Sequence, residues 1–207
     1  ANGPSSAPWA SDDGQTIVYS TLATNIVPGA ATLAKGIKAG TIQQATMMRG
    51  GGFGQSRFYL SRNLSTGVLG DGDSINVRVT PDGRFGVFES MATNLVAGDS
   101  NGVSDIYRFE ITNNAVSKLE RVSVSRYGSQ GNGASKNASI SDDGQFITFE
   151  TEASNLIELD RNSTSDILVK WVVTGEVLRL SRTVDGQQPN GPSVQPTISG
   201  DGSTIVF

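Results

Sequence analysis

The 207-residue sequence contains no cysteine and no histidine. Without cysteine there is no disulfide, no thiolate metal site and no cysteine nucleophile. Without histidine the commonest general base and a frequent transition-metal ligand are missing. Ser-His-Asp and Cys-His chemistry cannot be assembled within this chain, and neither can histidine-ligated zinc. Charge is scarce as well. Asp, Glu, Lys and Arg make up 17% of residues, the net charge is −4, and the Arg and Lys residues are scattered rather than clustered. Nucleic acid rewards a basic face, so this balance argues against such a partner. No stretch approaches the run of apolar residues that spans a membrane, and no charged-then-apolar leader opens the chain. The lack of cysteine suits the cytosol and bacterial exported proteins alike.

What is present points to strands. Glycine is abundant at 25 residues and hydrophobic content is 36%. Ser, Thr, Asn, Gly and Val suit short strands joined by tight turns. Val, Ile, Leu and Phe suffice for a core, which sets the chain apart from disordered sequences.

One phrase recurs four times: "ASDDGQTIVYS", "VTPDGRFGVFE", "ISDDGQFITFE" and "ISGDGSTIVF". Its Asp-Gly pairs are Asp13-Gly14, Asp82-Gly83, Asp143-Gly144 and Asp201-Gly202, separated by 69, 61 and 58 residues. Eleven residues before each Asp stands Asn2, Asp71, Asn132 or Asn190, each followed by Gly. A serine follows at Ser5, Ser74, Ser135 and Ser193. Such self-similarity defines the architecture before any other signal. The copies run approximately over residues 2–70, 71–131, 132–189 and, in part, 190–207.

Within a copy, "NASISDDGQFITFE" reads as a hairpin with an Asp-Asp-Gly turn. Glycine there supplies the positive φ of a tight turn. After "ASNL" and a polar loop, "DILVKWVV" reads as a third strand and "VLRLSR" as a fourth. Four antiparallel strands per repeat make a propeller blade. The fold class is therefore all-β: a β-propeller of four-stranded antiparallel blades, about three and a half of them, forming a single domain over residues 1–207 or a piece of a larger ring. Closed propellers carry four to eight blades, and open strand edges invite pairing. The expectation is a chain that is part of a longer propeller, or one whose edges pair with another chain.

The sequence S-D-D-G-Q-F-I-T-F-E, then A-S-N-L, then D-I, then L-S-R resembles the TolB-type (WD40-like) propeller repeats of bacterial proteins, and the resemblance spans essentially the whole chain. It is specific for fold and unspecific for activity, since propellers host many functions. The family's lyase type, as the resemblance implies, relies on histidine-rich metal sites, and this sequence has no histidine.

Two loops share the pattern D-x-N-x-x-S-D: Asp99, Asn101, Ser104 and Asp105, then Asp160, Asn162, Ser165 and Asp166. Calcium takes six to eight oxygen ligands, and such a loop offers carboxylate, amide and carbonyl oxygens at close intervals. The pattern resembles the front of an EF-hand loop without its closing glutamate, and in TolB-like repeats such loops look like calcium sites. The competing reading is that these residues cap turns by bonding backbone amides. The first copy lacks the pattern, with Ala30, Ala31 and Thr32 after Gly29. A cap needed by every blade would persist there, which tilts the balance toward metal.

The first copy also carries longer connections, through "AATLAKGIKAG" and "RGGGFGQ". One reading is a tolerated surface insertion; the other is a partner-binding loop whose contacts are Met47, Met48, Arg49, Phe53 and Arg57, residue types that suit interfaces. "RGGGFGQ" lacks the G-K-[ST] and the helix of a phosphate loop. Glu89, Glu150 and Glu152 raise the question of a glycosidase, but Glu89 and Glu150 occupy equivalent repeat positions, which suggests a structural or surface role.

The reading adopted from sequence is a noncatalytic, calcium-supported propeller scaffold, exported to the periplasm or the extracellular space, acting through a protein partner or larger complex. The alternatives are a carbohydrate-binding propeller and the propeller part of a larger exported enzyme. Trp9 and Trp171 fall at non-equivalent repeat positions, which counts against carbohydrate.

Overall fold

The computed structural model describes residues 1–28, 32–50 and 56–207. Three four-stranded antiparallel sheets and a two-stranded one follow one another along the chain. Blade 1 holds β1 (Ser5–Ala10), β2 (Thr16–Thr21), β3 (Gln44–Arg49) and β4 (Ser56–Tyr59). Blade 2 holds β5 (Ser74–Val79), β6 (Phe85–Ser90), β7 (Asp105–Thr112) and β8 (Ala115–Arg121). Blade 3 holds β9 (Ser135–Ile140), β10 (Phe146–Thr151), β11 (Asp166–Trp171) and β12 (Val177–Arg179). Blade 4 consists of β13 (Thr197–Ile198) and β14 (Ile205–Val206). Each blade is a simple meander, so every strand pairs with its sequence neighbour. This is the three-and-a-half-blade propeller that the repeat predicts.

The repeated polar residues build each hairpin locally. In all four copies the turn aspartate accepts from a Ser or Thr hydroxyl two residues earlier and from a backbone N–H two residues later: Ser11 and Gln15 onto Asp13, Thr80 and Arg84 onto Asp82, Ser141 and Gln145 onto Asp143, Ser199 and Ser203 onto Asp201. The following glycine is left-handed, with φ from 63° to 72°, so a side chain there would be strained. The hydroxyl and amide donors hold Asp201 down to about 2.

The first strands β1, β5, β9 and β13 neighbour one another and so form the innermost ring. Each copy has one left-handed residue two positions after the repeat serine, within β1, β5 and β9 and just before β13: Ala7, Asn76, Asn137 and Gln195, with φ between 50° and 55°. Pairing with the second strand shifts register there in the three full blades, as a β-bulge does. Blades are then stitched through the backbone. Ser135 donates its N–H to Ser104 of the preceding blade, and Ser193 does the same to Ser165, both at 2.8 Å.

The core lies between blades rather than within them. Val18, Ala45 and Met47 of blade 1 pack on Val77, Phe88, Tyr107 and Phe109 of blade 2. Val87 and Ile106 of blade 2 pack on Ala138, Phe149 and Leu168 of blade 3. Phe88 and Tyr107 stack with centroids 5.5 Å apart. Burial on both faces leaves β6 and β10 almost wholly buried, while β1 is exposed along its whole length.

Candidate functional site

Three places gather the residues that sequence singles out. The first is the pair of D-x-N loops. Each precedes a third strand, so Asp105 and Asp166 open β7 and β11. The strand register then sets Arg121 beside Tyr107 and Arg179 beside Leu168, which carries each guanidinium back to the loop. Arg121 Nη1 lies 3.4 Å from Asp99 Oδ1 and 3.5 Å from Asp105 Oδ2. Arg179 Nη2 lies 3.0 Å from Asp160 Oδ1, and its Nε lies 3.3 Å from Asp166 Oδ2. All six side chains are at least nine-tenths buried. These are close ion pairs without the alignment of hydrogen bonds.

Other donors complete the loops. Asp99 accepts from Tyr107 Oη at 2.7 Å and from Gln130 Nε2 at 2.8 Å. Asp105 accepts from Ser123 Oγ, Asn101 Nδ2 and Gln130 Nε2. Asp166 accepts from Ser181 Oγ at 2.7 Å and from Asn162 Nδ2 at 3.4 Å. Each asparagine turns its nitrogen toward carboxylate and carbonyl. Asn101 Nδ2 donates to Gly131 O and Asn162 Nδ2 to Pro189 O, while their oxygens accept from Val103 N and Thr164 N. Burial pushes the Asp105 and Asp160 carboxyls up, against the pull of Arg121 and Arg179. Tyr107 is pushed far up by burial and by donating to Asp99. Ser104 and Ser165 serve the blade-to-blade stitch through their carbonyls, and Ser165 Oγ also donates to Glu150 at 3.0 Å.

The structure thus brings the aspartates and asparagines of each motif together and adds an arginine the motif did not contain. The signal for it was present. Arg121 and Arg179 each stand two residues before a serine that bonds the third-strand aspartate, and the first copy has Tyr59 there, two before Ser61.

The second place is the open face of blade 1. Ser6, Pro8, Tyr19, Ile26, Met48 and Arg57 line a groove of about 440 Å³ on that face. Of the residues expected to meet a partner, Met48 and Arg57 lie here. Met47 points the other way and is fully buried in the core between blades 1 and 2. Arg49 donates from Nη1 to Gly83 O at 3.0 Å, tying blade 1 to the turn of blade 2. Phe53 and most of "RGGGFGQ" lie outside the described residues, as do Ala30 and Ala31.

The third is the axial ring. On one side Trp9, Arg78, Ser139 and Thr197, at equivalent positions of the four first strands, line a groove of about 220 Å³ with Asp12 and Asp142. The Arg78 guanidinium sits 4.8 Å over the Trp9 ring. Trp171 stacks instead on Phe146 at 5.6 Å. On the other side the bulges bond to glutamates of the blade before. Asn137 N donates to Glu89 Oε1 at 2.6 Å and Gln195 N to Glu150 Oε2 at 3.2 Å. Burial pushes Glu89 up, and the neighbouring Glu150 charge adds to the rise. Burial also acts upward on Glu150, but bonds from Asn137, Gln195 N, Ser165 and Lys136 outweigh it and hold its carboxyl low. Glu89 and Glu150 are therefore members of a structural ladder, and Glu152 sits at the exposed rim beside Lys136.

Among the described residues no group of three or more Asp or Glu converges as a metal cluster, and no helix is long and apolar enough to cross a membrane. No protein-family model and no curated sequence matches the chain. Solved structures do. The TolB protein of Acinetobacter baumannii superposes with a TM-score of 0.51 at 21% identity, over 100% of this chain and 37% of that one. The tricorn protease superposes with a TM-score of 0.50 at 14% identity, over 97% of this chain and 18% of that one. At such identities the likeness is one of fold: the chain folds as a β-propeller, as TolB does. The chain spans about a third of the length of the TolB structure it matches.

Proposed function

We propose that this chain is a noncatalytic propeller scaffold that works through protein contacts. The observation that carries the reading is the open face of blade 1. Tyr19, Phe88 and Phe149 each stand six residues after the turn aspartate. Phe88 and Phe149 are completely buried under the preceding blade, whereas Tyr19 lines an open groove with Pro8, Ile26 and Met48. A face of this shape takes a surface with small aliphatic side chains, as blade 1 itself presents Val18, Ala45 and Met47 to blade 2. The surface proposed to meet it is therefore a β-sheet of that composition, a further blade of the same protein or another chain. Support also comes from the use made of the repeat's polar residues: turn aspartates, bulge asparagines and axial glutamates are all engaged in holding turns and blades. The resemblance to TolB-type repeats supports an exported protein, which fractionation of the native source would test.

The scaffold reading is tested by placing a photo-crosslinking residue at Met48 in the chain expressed in its native source. Crosslinks to a β-rich protein that disappear with Tyr19→Asp support it. A monomer of unchanged mass with no crosslinked product would sink it.

A further inference from the structure

The two D-x-N loops surround a positive charge that belongs to the protein. We propose that Arg121 and Arg179 are built-in cations, occupying the position a calcium ion would take, so that blades 2 and 3 hold these loops without metal.

Three observations carry this. Each guanidinium lies within 3.0–3.5 Å of both carboxylates of its loop, the place a divalent ion would need. Calcium collects six to eight oxygens at 2.3–2.6 Å, and the loops do not offer them. The asparagine oxygens are committed to backbone N–H groups and the asparagine nitrogens face the carboxylates. Asp99 and Asp105 are further occupied by donors from Tyr107, Ser123 and Gln130. An ion at this point would also face a guanidinium that is itself nine-tenths buried, and like charges repel strongly where water is excluded.

The third observation is the behaviour of blade 1. Gln44 stands at the position of Asp105 and Asp166: Ser61 Oγ donates to Gln44 Oε1 at 2.7 Å, as Ser123 and Ser181 do to the aspartates. Where the carboxylate is replaced by a neutral amide, the arginine is replaced by neutral Tyr59, whose hydroxyl reaches Ala23 O. Acid and guanidinium are present together in two blades and absent together in the third. A carboxylate pair neutralised by metal would leave the residue on the fourth strand free to vary independently.

Truncating the arginine leaves two buried carboxylates facing one another, the condition that draws a divalent ion. The test is thermal unfolding and calorimetric titration of the 207-residue chain with calcium chloride and with EDTA. The wild type should show the same Tm in millimolar calcium and in EDTA, and no saturable heat. Arg121→Ala should lose roughly 10 °C in Tm and recover several degrees on addition of calcium, with saturable uptake that Asp99→Asn removes. Arg179→Ala provides the same measurement in blade 3. A wild-type Tm that falls in EDTA, or saturable calcium heat in the wild type, overturns the proposal. So do folded Arg121→Ala and Arg179→Ala variants that ignore calcium, because the arginine would then not be standing in an ion's place. Should neither variant fold, the wild-type titration decides alone.

Discussion

Blade 1 and blade 2 share the same hairpin and differ in how they are held on either side. Blade 2 anchors its third strand with buried Asp105 and Arg121, and its Phe88 face is covered by blade 1. Blade 1 anchors the same strand with Gln44 and Ser61, and its Tyr19 face is open. The hairpin survives both differences because its bonds run between residues two to five apart in the chain. Strand anchoring and face burial do not, because they depend on which element lies alongside.

The largest expected effect comes from the covered faces. Phe88→Ala and Phe149→Ala should each destabilise by about 3–5 kcal/mol, measured by urea unfolding. Tyr19→Ala at the same repeat position should cost about 1 kcal/mol. Equal losses at all three would mean that the blade 1 face is covered in solution, and would sharpen the case for a partner.

Next in size is the strand anchor. Asp105→Gln alone leaves Arg121 buried with half its countercharge, at a cost of about 3 kcal/mol. Adding Arg121→Tyr and Asp99→Asn gives blade 2 a neutral anchor like the one blade 1 uses, and should recover most of that loss. Failure of this triple variant to recover would break the equivalence between the two anchors.

The smallest effects are those of pH along the axis. Glu89 has its carboxyl raised above the ordinary glutamate value of 4.5 by burial. Its contribution to stability is present below 4.5 and is lost as pH rises through the raised value. Glu150, held low by its donors, contributes stability above 4.5 that is lost as pH falls through the lowered value. Unfolding free energies followed from mildly acidic to neutral pH should therefore decline less steeply in Glu89→Gln. Glu150→Gln should instead lose stability at neutral pH and change little in acid. Identical profiles would show that the two glutamates are not distinguished by their surroundings.

Much of the fold was legible in the sequence. The Asp-Gly spacing marked every hairpin, and the later "ILVKW" and "FITFE" runs marked strands. That β10 is buried on both faces, as a blade between two others requires, emerged only from the structure. The candidate site was less legible. Met47 and Met48 look alike in sequence, yet adjacent strand residues point to opposite faces, so one fills the core and the other lines the open groove. Asp105 and Arg121 stand sixteen residues apart on neighbouring strands. Nothing local joins them, although the paired exchange to Gln44 and Tyr59 in the first copy records their partnership.

The sequence by itself determined the repeat, the turns and the strand count, because a Ser or Thr hydroxyl, an Asp carboxylate and a Gly within a few residues fix a hairpin through bonds no other part of the chain can disturb. Tertiary structure alone decided which face of each blade is buried and which cation neutralises the loop carboxylates. Those outcomes require strands from tens of residues apart to meet in one register, and in a low-dielectric interface the group that arrives alongside sets the charge balance.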